Sequence, residues 1–219
     1  MKLKVCGMNR NTLEVAGLQP DYLGFIFWEP SERYFDNEIP EIDAGIKKIG
    51  VFVDAPISMV VEKVREFSLD AAQLHGKESP AYCKELNDAF PEKGSGKAIL
   101  QQNSCKIIKV FSIMDTFNFN ELRPYESVCD YFLFDTKGEL PGGNGYAFDW
   151  KLLKNYPSSK PYFLSGGIGL EETASIRKFM QTPASRFCHA IDVNSRFETE
   201  PGRKDIEKLK QFKSEIIDY

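Results

Sequence analysis

Tyr162-Phe-Leu-Ser-Gly-Gly-Ile-Gly-Leu-Glu-Glu-Thr-Ala-Ser-Ile-Arg-Lys-Phe179, with His189-Ala-Ile-Asp-Val-Asn-Ser195 downstream of it, is the stretch that decides the fold. Tyr162–Leu164 is a short β-favouring run stopped by Ser165-Gly166-Gly167. Glu171–Phe179 then carries helical spacing, and His189–Val193 is a second β-rich run. Strand, glycine turn, helix and strand make a βαβ unit, whose two strands lie parallel.

The same alternation extends to both ends of the chain. Further strand candidates are Leu3–Val5, Tyr22–Phe27, Lys48–Val53, Ala71–Leu74, Ile107–Phe111 and Tyr131–Phe134. Helical spacing falls between or after them at Ile57–Phe67, Pro80–Ala89, Asp149–Lys154 and the charged, amphipathic Asp205–Ile216. A strand count near eight favours a closed (β/α)8 TIM barrel with parallel strands over an open doubly wound sheet. No G-x-G-x-x-G follows the first strand, which counts against a dinucleotide-binding fold. Phe90–Ser104, with Pro91, Gly94 and Gly96, reads as an elongated connection, although Lys97–Leu100 inside it also passes for a strand. With no repeat, low-complexity tail or linker, residues 1–219 are expected to form one single barrel domain.

Composition narrows the function. A net charge of -4 and scattered Lys and Arg give no basic face for nucleic acid and no membrane-surface patch. The five cysteines, Cys6, Cys83, Cys105, Cys129 and Cys188, are odd in number, far apart and without a C-x-x-C pair. That is the pattern of free thiols in a reducing compartment. His75 and His189 have no ligand-spaced partners, so no metal site is expected. The opening Met1-Lys-Leu-Lys-Val enters a strand directly, without an apolar leader, and a cytoplasmic protein is expected.

In a parallel barrel the chemistry sits where the strands end and the βα loops begin. Cys6 follows the first strand, where a thiol either faces the mouth or packs as a small apolar group. An ordinary thiol is mostly protonated at neutral pH, so a reactive Cys6 is expected to have its pKa lowered by helix N-termini and by the positive groups gathered for a phosphate. Arg33 follows the second strand, in Phe27-Trp-Glu-Pro-Ser-Glu-Arg-Tyr34, either as a solvated charge or as a planar fork for a carboxylate. Gln73 and His75 stand at the end of the fourth. Asp135 comes directly after the apolar Tyr131-Phe-Leu-Phe, as a loop cap or as a general acid at the rim of an apolar pocket. Leu140-Pro-Gly-Gly-Asn-Gly145 is a glycine-rich lid or simple connection, containing Gly142 and Gly143. Gly166-Gly167 and Asp192-Val-Asn194-Ser195 close the last two strands, where backbone N–H groups commonly hold phosphate.

These pieces, in this order, resemble phosphoribosylanthranilate isomerase of tryptophan biosynthesis over nearly the whole chain. The matching segments are Lys4-Val-Cys-Gly-Met, Leu23-Gly-Phe-Ile-Phe, Ser31-Glu-Arg-Tyr, Ile49-Gly-Val-Phe-Val and Ala72-Gln-Leu-His-Gly. Later ones are Leu133-Phe-Asp-Thr, Gly142-Gly-Asn-Gly, Phe148-Asp-Trp, Leu164-Ser-Gly-Gly-Ile, Ile191-Asp-Val-Asn-Ser and Glu200-Pro-Gly-Arg-Lys-Asp.

The resemblance implies a cofactor-free Amadori rearrangement of N-(5-phosphoribosyl)anthranilate, with Asp135 as general acid and Cys6, as thiolate, as general base. It implies that Arg33 faces the anthranilate carboxylate, with Gln73, His75, Gly142 and Gly143 also on the substrate. Gly166, Gly167, Asn194 and Ser195 would hold the phosphate, with Asp192 beside them. The expected partner is therefore a small phosphorylated molecule, bound by a monomer or homodimer.

Three segments depart from the family pattern: Gly142-Gly-Asn-Gly-Tyr146 in the lid, Asn194-Ser-Arg196-Phe after the last strand, and the long Phe90–Ser104. The alternatives are another ribose-phosphate isomerase, of histidine-pathway type or bifunctional, and a non-catalytic barrel that binds a phosphorylated metabolite. The histidine-pathway enzymes carry a carboxylate where Cys6 stands, and a silent barrel would have no use for both Cys6 and Asp135.

Overall fold

The structure is a computed structural model that describes residues 1–90, 105–136 and 149–217. The glycine-rich segment with Gly142 and Gly143, and all of the long connection except Phe90, lie outside the described residues.

Eight strands close into a parallel barrel in sequence order. They are β1 Lys2–Val5, β2 Tyr22–Ile26, β3 Lys47–Phe52, β4 Ala71–Leu74, β5 Lys106–Ile113, β6 Tyr131–Thr136, β7 Tyr162–Leu164 and β8 Cys188–Val193. Closure is made by β1 on β8, with Lys4 opposite Asp192 and Val5 opposite Val193. The strand and barrel expectations hold, with ends shifted by a residue or two. One of these shifts carries functional weight: β6 runs on through Asp135 and Thr136, so Asp135 belongs to the strand rather than to the loop after it.

The longer helices form where an apolar stripe faces the barrel. In α2 (Ile57–Phe67), Val60 and Val64 face the barrel one turn apart, and the left-handed Ser68 (φ 49°) ends the helix. Ser79 caps α3 (Pro80–Asp88) by accepting from the Tyr82 N–H, with Pro80 in the first turn. Before them, α1 (Thr12–Ala16) is only five residues long, too short for its periodicity to be read from sequence. The expected helix at 149–154 is a 3-10 turn, Trp150–Asn155. The expected 171–179 helix splits into a 3-10 turn, Leu170–Glu172, and α4 (Thr173–Met180). After β8 the chain makes an unforeseen hairpin, β9 (Glu198–Glu200) and β10 (Arg203–Lys204), before α5 (Ile206–Ile217).

Side chains alternate along each strand, and this fills the barrel in layers. Ile49, Ala71, Ile108, Val110, Leu133, Phe163 and Ala190 pack together as an apolar plug, separate from the larger core between the strands and the outer helices. Below it, Tyr22, Tyr131 and His189 close the N-terminal end, with the Tyr22 hydroxyl 2.7 Å from His189 Nε2. His189 thus lies at the end of the barrel remote from the loops. No helix among the described residues is long and apolar enough to cross a membrane.

Candidate active site

Above the apolar plug, the next inward positions on four of the strands are polar. Stepping by two along the strands gives Lys4 and Cys6 on the first, Gln73 and His75 on the fourth, Asp135 on the sixth, and Asp192 and Asn194 on the eighth. One cavity at the C-terminal mouth is lined by Cys6, Gln73, His75, Asp135 and Asp192, by Arg33 and Trp28 from the loop after β2, and by Ser165–Ile168 and Asn194–Arg196. The structure therefore gathers every described residue singled out from the sequence.

Cys6 is 5% exposed, and it has room only because Gly24 has no side chain. A Cβ on Gly24 would stand 2.8 Å from the Cys6 sulfur and 3.1 Å from its Cα. The adjacent Gly7 has φ +72°, and a Cβ there would meet the Arg33 side chain at 2.9 Å. Burial pushes the Cys6 thiol up from its ordinary value; Lys4 and Lys204 oppose this and Asp192 adds to it. The direction is thus opposite to the expected lowering. The positive groups that act on the thiol are two buried lysines, not those gathered for a phosphate. Gly24→Ala is expected to displace the sulfur and lower turnover by about 10-fold or more, since a misplacement near 1 Å is costly in a reacting group. Circular dichroism and melting should show an intact barrel; wild-type kcat in a folded variant would show that this approach is not needed.

Lys4 is fully buried and its ammonium lies 2.7 Å from Asp192 Oδ2. Burial opposes its charge, but Asp192 and Cys6 together hold its pKa above the ordinary lysine value. Burial pushes the Asp192 carboxyl up against the pull of Lys4, and Asp135 adds to the rise. Asp192 Oδ1 and Gln73 Oε1 are buried polar atoms without a hydrogen-bond partner among the described residues, so each has capacity for a ligand. Asp192, expected beside a phosphate, lines the cavity with Gly166, Gly167, Asn194 and Ser195 and pairs through its carboxylate with Lys4.

Asp135 is 6% exposed, accepts from the Thr136 N–H at 3.0 Å, and has its other oxygen 3.4 Å from His75 Nε2. The backbone on either side of His75 is gripped from outside the cavity. The buried Lys109 ammonium donates to the carbonyls of Leu74 and Gly76 and pairs with Glu78 at 2.9 Å. The loop after β7 turns through two left-handed glycines, Gly166 (φ 94°) and Gly167 (φ 67°). A Cβ on Gly166 would strike Thr136. The N–H groups of Gly166, Gly167 and Ser195 make no hydrogen bond among the described residues.

Arg33 is not a solvated charge. Its Nε lies 2.9 and 3.0 Å from the two Glu198 carboxylate oxygens, and Nη2 lies 2.7 Å from Oε2. Lys204 Nζ reaches the same carboxylate at 2.6 Å and Asn194 Oδ1 at 2.7 Å. Burial opposes the Glu198 charge, yet Arg33 and Lys204 hold its pKa below the usual carboxylate range. Burial lowers Lys204 from the ordinary lysine value, with Glu198 and Cys6 pulling the other way. Lys4, Gly24, Glu198 and Lys204 escaped the sequence reading. For Lys4 the signal was its place two residues before Cys6, on the same inward row.

A parallel eight-stranded barrel with a thiol and a carboxyl facing one cavity, beside loops whose N–H groups are unpaired among the described residues, is the framework of a barrel enzyme for a small anionic substrate. Residues 3–215 match the family described as N-(5'-phosphoribosyl)anthranilate (PRA) isomerase, and the chain belongs to that family. The N-(5'-phosphoribosyl)anthranilate isomerase of Parabacteroides distasonis is 42% identical over 225 residues, covering 99% of this chain and 94% of its own. That of Phocaeicola vulgatus is 38% identical, covering 94% and 92%. Among solved structures, phosphoribosyl anthranilate isomerase from Thermus thermophilus aligns with a TM-score of 0.78 at 25% identity, over 100% of this chain and 99% of that one.

Proposed function

We propose that this chain converts N-(5-phosphoribosyl)anthranilate to 1-(2-carboxyphenylamino)-1-deoxyribulose 5-phosphate. The observation that carries the reading is the placement of Cys6 and Asp135 on one cavity with the loops after β7 and β8. Asp135 donates a proton to the furanose ring oxygen, opening the ring to a Schiff base. Cys6, as thiolate, removes the C2′ proton, and the enolamine settles to the ketose. Arg33, kept at the rim by Glu198, faces the aromatic carboxylate. Gln73 and His75 line the cavity between the acid and the base side. No electrons leave the substrate, so the step needs no redox cofactor, and the chain acts as one unit, residues 1–219, in the cytoplasm. The test is loss of fluorescence of freshly made phosphoribosylanthranilate on adding purified protein. Binding of a phosphorylated product analogue without turnover would favour the non-catalytic barrel instead.

The phosphate is taken by backbone N–H groups of Gly166, Gly167 and Ser195, with Asn194 beside them. Gly167 sits at a positive φ that a β-branched residue resists, so Gly167→Val both bends the loop and removes an aligned donor. Affinity for a phosphorylated product analogue should fall by roughly 1.5–3 kcal/mol, the worth of a hydrogen bond to a charged group. Titration calorimetry reads this directly, and unchanged affinity would move the phosphate elsewhere.

A further inference from the structure

Arg33 is an unusual choice for binding a substrate anion, because a carboxylate of the protein already occupies it. Glu198 takes Nε and Nη2 in a fork, at 2.7 to 3.0 Å. Taken alone, Arg33 and Glu198 are a neutral pair, and a neutral pair offers a second carboxylate little net attraction. The third member changes the sum. Lys204 has a completely buried side chain with its ammonium 2.6 Å from Glu198. Two cations around one anion leave one net positive charge, in a partly desolvated place where it is felt strongly.

We propose that Lys204 is a positioning and specificity residue for the aromatic carboxylate: it shares Glu198 with Arg33 and so leaves Arg33 with positive charge to give to the substrate. The inference rests on the reading that Arg33 meets that carboxylate. Lys204 touches no substrate in this arrangement, because its ammonium is spent on Glu198 Oε1 and Asn194 Oδ1. Its second bond ties the Arg33 cluster to Asn194, so the carboxylate end and the phosphate end of the cavity share one lysine. The seat of Lys204 does not depend on its charge. Its backbone N–H donates to Asn11 Oδ1, and its carbonyl accepts from Asn11 Nδ2, on the far side of the chain. Glu198 also accepts from the Gly202 N–H within the β9–β10 hairpin, which persists when the ammonium is gone.

The test compares two ligands that differ only in the aromatic carboxylate: the reduced product analogue and its counterpart with plain aniline. Both carry the phosphate, so the ratio of their dissociation constants isolates the carboxylate. Lys204→Met removes one positive charge at near-constant length and should cut that ratio by at least about 10-fold, the lower end for a charge-assisted hydrogen bond. Adding Glu198→Gln to Lys204→Met restores one net positive charge and should recover most of the ratio, although the double variant carries the greater structural insult. Glu198→Gln alone, with both cations left, should raise it. A packing role for Lys204 predicts equal losses on both ligands and a worse double variant, and either result overturns the proposal. If Lys204→Met fails to fold, the single Glu198→Gln decides by its sign: a ratio that stays or falls overturns the proposal. Arg33→Met separates the two layers. A ratio lost in Arg33→Met but kept in Lys204→Met defeats this inference alone, whereas a wild-type ratio near unity defeats the Arg33 reading and this inference with it.

Discussion

Cys6→Ala is expected to lower turnover of phosphoribosylanthranilate by at least about 10²-fold, the usual contribution of a positioned general base. The substitution is small in volume and leaves the Gly24 recess and the Lys4–Asp192 pair in place, so the barrel should keep its melting temperature within a few degrees. It should also bind the reduced product analogue nearly as wild type does, because binding is assigned to Arg33 and the phosphate loops. Turnover close to wild type would remove Cys6 from the chemistry.

The pH dependence follows from the direction of the thiol shift. Burial moves Cys6 up and only partly yields to Lys4 and Lys204, so in the free enzyme the thiolate is the minor form at neutral pH. The limb of kcat/KM that rises with pH should therefore lie alkaline of an ordinary thiol, about 8.5. A thiolate formed at such a cost is a stronger base, which compensates in part for its scarcity. Iodoacetamide inactivation should follow the same limb and be slowed by product analogue. Cys105 and Cys188 are poor competitors, since burial pushes each to about 12. Cys83 is the exception, lowered by its hydrogen bond from Cys129, but it is 0% exposed. A rising limb well below the ordinary thiol range would mean that the base is another group.

The barrel was legible because its signal is local. Runs such as Tyr131–Phe134 and Tyr162–Leu164 are β-favouring and bounded by polar or glycine turns, and the alternation with helices admits few topologies. Cys6, His75 and Asp135 were legible for a related reason: a strand's end in a parallel barrel always opens on the same face. What stayed hidden depends on distance along the chain. Arg33 could be placed in a loop after β2, but its partner Glu198 lies 165 residues away in a hairpin whose strands are two and three residues long. The Lys4–Asp192 pair spans 188 residues and exists only because closure sets those two residues side by side in register. Gly24 reads as an ordinary small residue within a strand until the sulfur opposite it is seen. The direction of the Cys6 shift was misjudged because the sequence shows charges, whereas the decisive quantity is depth of burial.

The second large effect is expected at Asp135. Asp135→Asn preserves the shape of the side chain and can still accept from the Thr136 N–H, so the end of β6 should be undisturbed. What it removes is the carboxyl that the proposed mechanism uses as proton donor. Strand β6 stands well around the barrel mouth from β1, so in the proposed mechanism Asp135 addresses the ring oxygen and Cys6 addresses C2′ from the other flank. Ring opening without a proton donor leaves an alkoxide that nothing neutralises on this side of the cavity, so turnover should drop by at least about 10²-fold, and by more if opening limits the rate. Two neighbours offer substitutes. Asp192 is held by Lys4 at 2.7 Å and cannot turn without leaving a buried ammonium unpaired, a loss of about 3–5 kcal/mol. His75 is free of that constraint, with Nε2 only 3.4 Å from Asp135 Oδ2. The comparison that decides is therefore Asp135→Asn against His75→Asn under substrate saturation. If Asp135 is the acid, His75→Asn should cost several-fold, by loosening the carboxyl it orients, and Asp135→Asn at least ten times more. The opposite ranking, with Asp135→Asn near wild type, would transfer the acid to His75 and leave Asp135 as the group that orients it.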